Sequence, residues 1–334
     1  MNNQVSNKEF WQSKIRIGSE EFPRFMSAPL DGITDSPLRR LIRDFSPHDL
    51  LFTEMRHVAS VANERTGIAL KYDPIEQPMA FQVSTNKTDF IDKAIEKILA
   101  AGFKSINLNS GCPAKAVVKS KCGSALMEDV PHLEMLLKYF IKRIDNRASF
   151  TVKIRAGFKK KNALEVAKMA QDCGVDAVII HPRTQPEGFA SRLDYDLARQ
   201  VKQALTVPLI FSGNISRFEM AQKVYELTGC DGFMIGRALW GAPWKMREMT
   251  EEAQGKSFEF TTDLALRCAL KHLDNNIQFY GPKGFIPFKK QLPQYVRFVV
   301  AASEWRQKLL RSQTESEMRE LLIQLIKENR EEQI

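Results

Sequence analysis

The sequence predicts an α/β fold: a (β/α)8 TIM barrel followed by a smaller all-helical C-terminal domain. Two observations lead to this prediction. Eight short runs rich in Val, Ile, Leu and Phe alternate with helical patterns, and these runs stop after Trp244. Strand–helix alternation with strongly apolar strands is typical of a parallel sheet that is buried on both faces. We expect the barrel to span residues 1–248 and the helical domain to span residues 249–334.

The eight predicted strands recur at a near-regular spacing, which a barrel explains better than an open doubly wound sheet. No Gly-x-Gly-x-x-Gly motif follows the first strand, so a Rossmann nucleotide site is not supported. Two of the helical patterns, ALEVAKMAQDCG and RFEMAQKVYELTG, end in glycine after apolar spacings of three and four. The strand patterns are FMSAPL from Phe25, LLFTEM from Leu50, PMAFQV from Pro78, SINLNS from Ser105, FTVKIR from Phe150, AVIIHP from Ala177, PLIFSG from Pro208 and GFMIGR from Gly232.

The composition excludes several classes of protein. The 334 residues are 43% hydrophobic and 27% charged, which suits a globular chain with a sizeable core. No apolar run approaches the roughly 18 residues of a membrane helix, and no signal-peptide region opens the chain, so we expect no membrane association. The five cysteines are widely spaced without a Cys-x-x-Cys pair, which argues against a disulfide scaffold or a metal cluster. We expect a cytoplasmic protein.

The positive charge is concentrated near the C-terminus. The net charge is +9, and residues 264–311 hold nine basic and two acidic residues with aromatic residues between them. A solvated helix face would explain an isolated charge run, but most of the excess lies in this one stretch. The distribution favours a surface for a phosphate backbone. The basic residues are Arg267, Lys271, Lys283, Lys289, Lys290, Arg297, Arg306, Lys308 and Arg311.

Polar residues follow six of the predicted strands at the points where the strands end. Because active sites of TIM barrels lie at the carboxyl ends of the strands, we expect these residues to meet in one site. A buried polar group with a hydrogen-bond partner would explain any one of them, but not the agreement of six strand ends. The residues are Gln82, Asn109, Cys112, Lys153, Arg155, His181, Arg183, Ser212, Gly213, Asn214, Gly236 and Arg237.

The last two strand ends predict a phosphate site. Gly213 and Gly236 suit backbone amides that approach a phosphate closely, and Arg237 adds charge, at the place where barrels commonly bind phosphate. A phosphate there, with Lys153 and His181 beside it and Gln82 opposite, suggests a phosphorylated ring cofactor across the barrel mouth. FMN fits this description. Lys153 would then hold the negative charge that reduced flavin develops at its N1/O2 edge.

The fourth strand is followed by a long loop that contains two cysteines. Cys112 lies in a Gly-Cys-Pro turn that would expose its thiol above the barrel, whereas Cys122 precedes a Gly-Ser-Ala-Leu run that reads as a helix start. A loop cysteine is more often structural than catalytic, so this signal alone does not assign a role. No Ser-His-Asp order, His-Glu-x-x-His motif or Walker motif supports a hydrolase or an NTPase.

Taken in order, these motifs resemble those of bacterial tRNA-dihydrouridine synthases. The resemblance runs from Phe25 to Trp244, the basic helical tail resembles that family's C-terminal domain, and the NLNSGCPAK run is its most specific part. It implies that NADPH (or NADH) reduces FMN, which then reduces the C5=C6 bond of a D-loop uridine in tRNA. The matching motifs are SAPLDGITDSPLRRL, LFTEM, MAFQV, NLNSGCPAKAVVKSKCGSALM, TVKIRAGF, IHPRT, SGNIS and GFMIGRALWGAPW.

The resemblance also implies a role for each residue. Cys112 would donate the proton to uracil C5, Asn109 would contact the target base or the flavin, and Arg183 would contact the RNA substrate. Two positions depart from the family: Ser212-Gly213-Asn214 stands for Asn-Gly-Asp or Asn-Gly-Glu, and Asp31 stands for a commoner Ala. We expect tRNA as partner, with no metal and no obligate protein partner. The residues implied to bind FMN are Pro29, Leu30, Asp31, Gln82, Lys153, His181, Ser212, Gly213, Asn214, Gly236 and Arg237.

Two other functions fit parts of the pattern. Another FMN barrel, such as dihydroorotate dehydrogenase, acts on a free pyrimidine, but such an enzyme has no need of a basic tail. An RNA-binding protein on an inactive barrel would be expected to have lost Cys112, Lys153 or the phosphate glycines, and all of these are present.

Overall fold

Eight parallel strands form the centre of the molecule. The computed structural model describes residues 9–188 and 190–331. Hydrogen bonds connect the barrel strands in the order β1, β8, β7, β6, β5, β4, β3, β2, and a parallel bridge between Met26 and Leu50 joins β1 to the start of β2. This ring confirms the predicted TIM barrel. The strands are β1 (Phe25–Ser27), β2 (Leu51–Phe52), β3 (Met79–Ser84), β4 (Ser105–Ser110), β5 (Ser149–Gly157), β6 (Ala177–Thr184), β7 (Leu209–Ser212) and β8 (Gly232–Ile235).

Helices surround the barrel and form the C-terminal region. Gly174 and Gly229 end two of the predicted helices with φ of 103° and 70°, a left-handed conformation that favours glycine. Within the described part of the chain, no helix combines the length and apolarity needed to cross a membrane. The helices are α1 (Ser36–Arg43), α2 (Val58–Asn63), α3 (Ile91–Ala100), α4 (Lys115–Lys119), α5 (Val130–Ile144), α6 (Ala163–Cys173), α7 (Tyr195–Ala204), α8 (Phe218–Thr228), α9 (Lys245–Ala253), α10 (Thr262–Tyr280), α11 (Phe285–Phe288), α12 (Leu292–Tyr295), α13 (Ala302–Arg311) and α14 (Glu315–Glu331).

An N-terminal hairpin packs against the amino ends of the barrel strands. Its two strands, Ile15–Ile17 and Glu20–Phe22, pair antiparallel. Ile15, Ile17 and Phe22 are buried in one cluster with the apolar residues inside the barrel. This hairpin cannot be predicted from the sequence, because strands of three residues carry almost no periodic signal. It closes one end of the barrel with apolar side chains.

The C-terminal helices bury a second core that reaches the barrel through α1. Leu41 of α1 and Trp244 pack in this cluster with residues of α10 to α14. Two side-chain amides add polar contacts: Nδ2 of Asn275 donates to the carbonyl of Pro37, and Nε2 of Gln291 donates to the carbonyl of Ile33, both at 3.1 Å. The expected boundary after residue 248 falls inside α9, whose apolar residues pack in the barrel core. The division into two domains stays a prediction.

A substitution in the turn between β8 and α9 tests the contact between the barrel and the C-terminal helices. Gly241 has φ of 71°, and a Cβ there would overlap Cβ of Gln294 and lie 2.8 Å from its carbonyl carbon. We expect Gly241→Ala to lower the free energy of unfolding by on the order of 2–4 kcal/mol, because strain and overlap with backbone add. Gly255→Ala is the matched control, since Gly255 has φ of 76° with nothing within 4 Å of its Cβ position. Equal losses of stability in urea unfolding would contradict the assigned contact.

Candidate active site

A cavity of about 700 Å³ opens at the carboxyl ends of the barrel strands. It collects side chains from β4, β5 and β6 and from the turns after β1, β7 and β8, which is where a TIM barrel carries its chemistry. Twelve of the fourteen predicted site residues line it. They are Pro29, Leu30, Asp31, Asn109, Cys112, Lys153, His181, Ser212, Gly213, Asn214, Gly236 and Arg237.

The Cys112 turn is held by hydrogen bonds on both sides. Oδ1 of Asn109 accepts from the backbone N–H groups of Gly111 (3.1 Å) and Cys112 (2.8 Å). The carbonyl of Cys112 accepts from the backbone N–H and the hydroxyl of Ser124, each at 3.0 Å. Because both peptide groups are tied down, the thiol has a defined place at the edge of the cavity.

Gln82 is not among the residues that line the cavity, and its predicted contact with the cofactor stays a prediction. It is 1% exposed and belongs to a chain of hydrogen bonds beneath the site. Nδ2 of Asn109 donates to Oε1 of Gln82 (2.8 Å), Nε2 of Gln82 donates to Oδ1 of Asn107 (2.7 Å), and Nδ2 of Asn107 donates to Oγ1 of Thr151 (2.8 Å). Gln82 therefore orients Asn109 and, through it, the Cys112 turn.

Basic side chains surround His181 in and beside the cavity. Burial, and after it the charges of four nearby basic residues, lower the pKa of His181 to about 2. His181 is therefore neutral at physiological pH and cannot serve as an acid there. A cluster of like charges of this kind suits an anionic ligand. The basic residues are Lys153, Arg155, Arg183 and Arg237.

Lys153 is half-buried in the wall of the cavity. Burial and the neighbouring charge of Arg155 lower its pKa to about 8, while Cys112 acts in the opposite direction. It makes no hydrogen bond or ion pair within the described parts of the chain. The register pairs Lys153 with Asn109 on β4, so a cation and an amide lie side by side at the strand ends.

Arg183 is fully buried and does not line the cavity, and its predicted contact with RNA stays a prediction. Its Nε (2.8 Å) and Nη2 (2.6 Å) donate to the carbonyl of Ser191, and Nη1 lies 3.3 Å from Nε2 of His181. Arg183 thus positions His181 and the loop before α7.

Arg155, which stands at a strand end and for which the sequence predicts no role, lines the cavity. Its Nη1 donates to the carbonyl of Thr184 (2.7 Å), and its buried Nε has no partner among the residues described.

The turn after β7 brings backbone close to the cavity. Gly213 has φ of 148°, and a Cβ there would lie 2.8 Å from Cδ2 of Leu193, so the position requires glycine. Asn214 follows with φ of 52°, and its Oδ1 accepts from Nη2 of Arg237 at 3.3 Å. The side chain of Asn214 thereby joins the turns after β7 and β8, which are the predicted phosphate site.

The two cysteines of the long loop differ sharply in their surroundings. Cys122 is 1% exposed, and burial raises the pKa of its thiol. It directly precedes a short 3-10 helix, Gly123–Glu128, as its sequence context indicates. Cys112 is partly exposed and lines the cavity. Of these two thiols, only Cys112 is available to a ligand in the site.

The basic C-terminal region presents several cations to solvent, and Nζ of Lys290 lies against Gly32, next to the cavity-lining Asp31. Lys271 and Arg267 form ion pairs with Asp44 and Asp263, and the half-buried Lys289 donates to the carbonyl of Ser312 at 2.6 Å. The remaining exposed cations form no ion pair with a described residue. They are Lys283, Lys290, Arg297, Lys308 and Arg311.

Comparison with known proteins gives the family. The family model described as Dihydrouridine synthase (Dus) matches residues 26–331. The chain belongs to the dihydrouridine synthase family. The resemblance found in the sequence is thus confirmed, and the protein is an oxidoreductase of this family.

Individual relatives match over most of their length. "Probable tRNA-dihydrouridine synthase 1" of Synechocystis sp. is 32% identical over 326 residues, which cover 96% of this chain and 91% of the relative. tRNA-dihydrouridine synthase B of Pasteurella multocida is 33% identical over 301 residues, covering 88% and 90%. Among solved structures, the old yellow enzyme homologue from Zymomonas mobilis has a TM-score of 0.55 at 13% identity, covering 73% of this chain and 93% of that one. This structural likeness shows the shared barrel fold.

The hydrogen-bond chain beneath the cavity generates a prediction. Gln82→Leu removes a partner from both Asn107 and Asn109 in a buried layer. We expect a loss of about 2–4 kcal/mol in the free energy of unfolding, because two buried amide groups lose a hydrogen bond. Urea unfolding checks this, with Gln203→Leu on the exposed face of α7 as control. A loss for Gln82→Leu no larger than that for the control would show that the amide chain contributes nothing.

Proposed function

We propose that this protein is a tRNA-dihydrouridine synthase that reduces the C5=C6 bond of a D-loop uridine, with FMN as cofactor and NADPH (or NADH) as reductant. One observation carries the proposal. A single cavity brings the Cys112 thiol together with a cationic wall and two backbone turns, beside exposed cations on the C-terminal helices. The family and the names of the relatives support the same activity.

The residues of the cavity fit FMN. A volume of about 700 Å³ lies within the usual range of cofactor sites. The turn at Gly213 has no room for a side chain, and the orphaned Nε of Arg155 is a donor for an acceptor group. Gly213, Asn214, Gly236 and Arg237 would hold the phosphate, and the segment from Pro29 to Asp31 would lie along the ring. The changes at Ser212 and Asp31 leave this fit intact, since phosphate contacts can come from backbone amides and Asp31 is exposed at the rim.

Three side chains of the cavity then have distinct tasks. Lys153, with a pKa of about 8, is mostly charged at neutral pH and would stabilise negative charge on the edge of the ring. His181 is neutral and would offer a hydrogen bond rather than a proton. When bound, reduced FMN would supply a hydride to C6 of the uracil. The Cys112 thiol would donate the proton to C5, and solvent would then restore the thiol.

The substrate explains the basic helical region. A uridine in folded tRNA is stacked, so it must be turned out of the stack to reach a cavity at the mouth of a barrel. Lys290, Arg297 and the other exposed cations would hold the phosphate backbone while the base enters. Because tRNA is the proposed substrate, the cytoplasm is the proposed compartment.

Product formation tests the proposed function directly. We expect that purified protein incubated with NADPH and unmodified tRNA adds two hydrogen atoms to one uridine, as measured by mass spectrometry of RNA fragments. No gain despite reduction of a bound flavin would favour a free pyrimidine as substrate. Absence of any bound flavin in the purified protein would overturn the cofactor assignment.

Removal of the proposed proton donor should separate the two half-reactions. We expect Cys112→Ala to bind FMN and accept electrons from NADPH at the normal rate, while tRNA modification falls by roughly 10²–10⁴-fold, the usual contribution of a general acid. Cys122→Ala is the matched control, because that thiol is buried away from the cavity. Normal product formation by the Cys112 variant would refute the role of its thiol.

Charge reversal tests the RNA surface. We expect glutamate at Lys283, Lys290 and Arg297 to weaken tRNA binding and to lower the slope of log Kd against log salt by roughly 2–3, since each lost phosphate contact removes nearly one unit. Lys289 is left in place because it bonds to Ser312. A control with glutamate at the exposed barrel lysines Lys93, Lys142 and Lys168 has the same net charge. Equal effects in both triple variants would mean that only net charge matters.

A further inference from the structure

A second cavity lies between the barrel and the C-terminal helices, and none of its lining residues lines the first cavity. Its volume is about 480 Å³. The barrel side consists of the start of α1 and the segment that follows β2, and the helical side consists of Phe279 and Tyr280 at the end of α10. The proposed function gives this space no role.

The two cavities share one wall. The backbone N–H of Gly32 donates to Oε1 of Glu54 at 2.5 Å. Glu54 lines the second cavity, and Asp31, the neighbour of Gly32 in sequence, lines the first. A polymer that crosses this loop can therefore place one residue in each cavity.

Carboxylates form the interior of the second cavity. Asp35 and Glu54 are each 9% exposed. Oδ2 of Asp35 accepts from the hydroxyl of Tyr280 at 2.9 Å, and no described residue forms an ion pair with Asp35. The nearby Arg39 is paired with the buried Glu76 at 2.8 Å. Oε2 of Glu54 forms an ion pair with Arg56, which also lines the cavity, at 3.2 Å. Asp35 is therefore the nearly buried carboxylate of the lining that has no ion pair with a described residue, and it disfavours a phosphate group beside it.

The mouth of the cavity has the opposite character. Nζ of Lys71 lies 4.8 Å from the centroid of the Phe279 ring and donates to the carbonyl of Phe279 at 3.1 Å. Ile68 and Tyr280 are 52% and 38% exposed. Flat apolar surface and a cation outside, with acceptors inside, match a nucleotide whose base enters and whose phosphate stays at the mouth.

We propose that the second cavity binds a guanine base of the substrate RNA that lies near the target uridine. The inference rests on the proposed function and adds a determinant of which uridine is chosen. Guanine presents two parallel donors, N1–H and the N2 amino group, which match the two oxygens of a carboxylate such as Asp35. Adenine, cytosine and uracil present a donor beside an acceptor on the same edge, so a carboxylate pairs with them less well.

A thermodynamic cycle between protein and RNA tests this assignment. We expect Asp35→Asn, which keeps an acceptor for the backbone N–H of Leu38, to raise the Kd for unmodified tRNA by roughly tenfold, the effect of one lost charge-assisted hydrogen bond. A transcript with inosine, which lacks the N2 amino group, at the contacted guanosine should lose a similar factor with the wild-type protein. Each guanosine near the modified uridine is replaced in turn. When Asp35→Asn binds the transcript with inosine at the contacted position, the Kd should rise little more than it does for either change alone.

The controls separate this inference from the proposed function. Asp172→Asn removes the same charge on the exposed side of the barrel and should leave the Kd unchanged. Flavin reduction by NADPH should be unaltered in Asp35→Asn. Slower reduction with unchanged RNA affinity would assign the cavity to the nicotinamide nucleotide instead, and purely additive losses for every inosine would also overturn the proposal. If wild-type protein does not modify tRNA at all, the proposed function itself fails.

A second variant covers the case in which Asp35→Asn does not fold. Lys71→Ala removes the cation at the mouth without touching the interior. We expect it to lower the salt slope of tRNA binding by about 0.7–0.9, the value of one phosphate contact. Lys104→Ala, an exposed lysine near the N-terminal hairpin, is the control. An unchanged slope would contradict a nucleotide in this cavity.

Discussion

Repulsion among like charges at the barrel mouth is the constraint on which the rest of the site depends. Lys153 and Arg155 project from neighbouring positions of β5 toward the region where β6 brings His181, and burial strengthens their mutual effect. Only a rigid frame can hold these cations together, and a closed ring of parallel strands is such a frame. The result is a fixed positive field that favours an anion and, together with burial, keeps His181 neutral. A neutral His181 would offer a hydrogen bond rather than a proton in the proposed reaction.

The layer of hydrogen-bonded amides beneath the barrel mouth fixes the position of the loop that carries Cys112. The amides of Asn109, Gln82 and Asn107 donate in one direction, and the chain ends at the hydroxyl of Thr151. This direction fixes which end of the Asn109 amide faces the Cys112 turn: the oxygen must, because the nitrogen is committed to Gln82. Polar residues at this depth therefore have a positioning role. They separate the apolar interior from the mouth and hold the turn that carries the thiol.

The sequence was sufficient to predict the eight strands and most of the site, since parallel strands bring their carboxyl ends together whatever their exact tilt. The sequence was insufficient to predict how deeply each polar side chain is buried. Gln82 and Arg183 both stand at strand ends, but Gln82 lies one layer below Asn109, and Arg183 is covered by the loop that supplies the carbonyl of Ser191. Neither the layer nor the covering loop leaves a periodic signal. Arg155 is the opposite case. It lies two residues after Lys153 on the same strand and lines the cavity, but its position at a strand end does not predict a specific role.

The loop from Pro29 to Ile33 joins the two halves of the proposed activity. Its first residues line the first cavity, Gly32 donates to Glu54 in the second, and the carbonyl of Ile33 accepts from Gln291 of the helical region. At Gly32, with φ of 66°, a Cβ would overlap Nζ of Lys290, so the exposed ammonium lies directly against the loop. Any RNA phosphate that approaches Lys290 therefore approaches the wall of the first cavity as well. On this geometry the helical region is more than a tether for the substrate, because one of the contacts that dock it on the barrel, from Gln291 to Ile33, is made by the same loop that borders the proposed flavin ring.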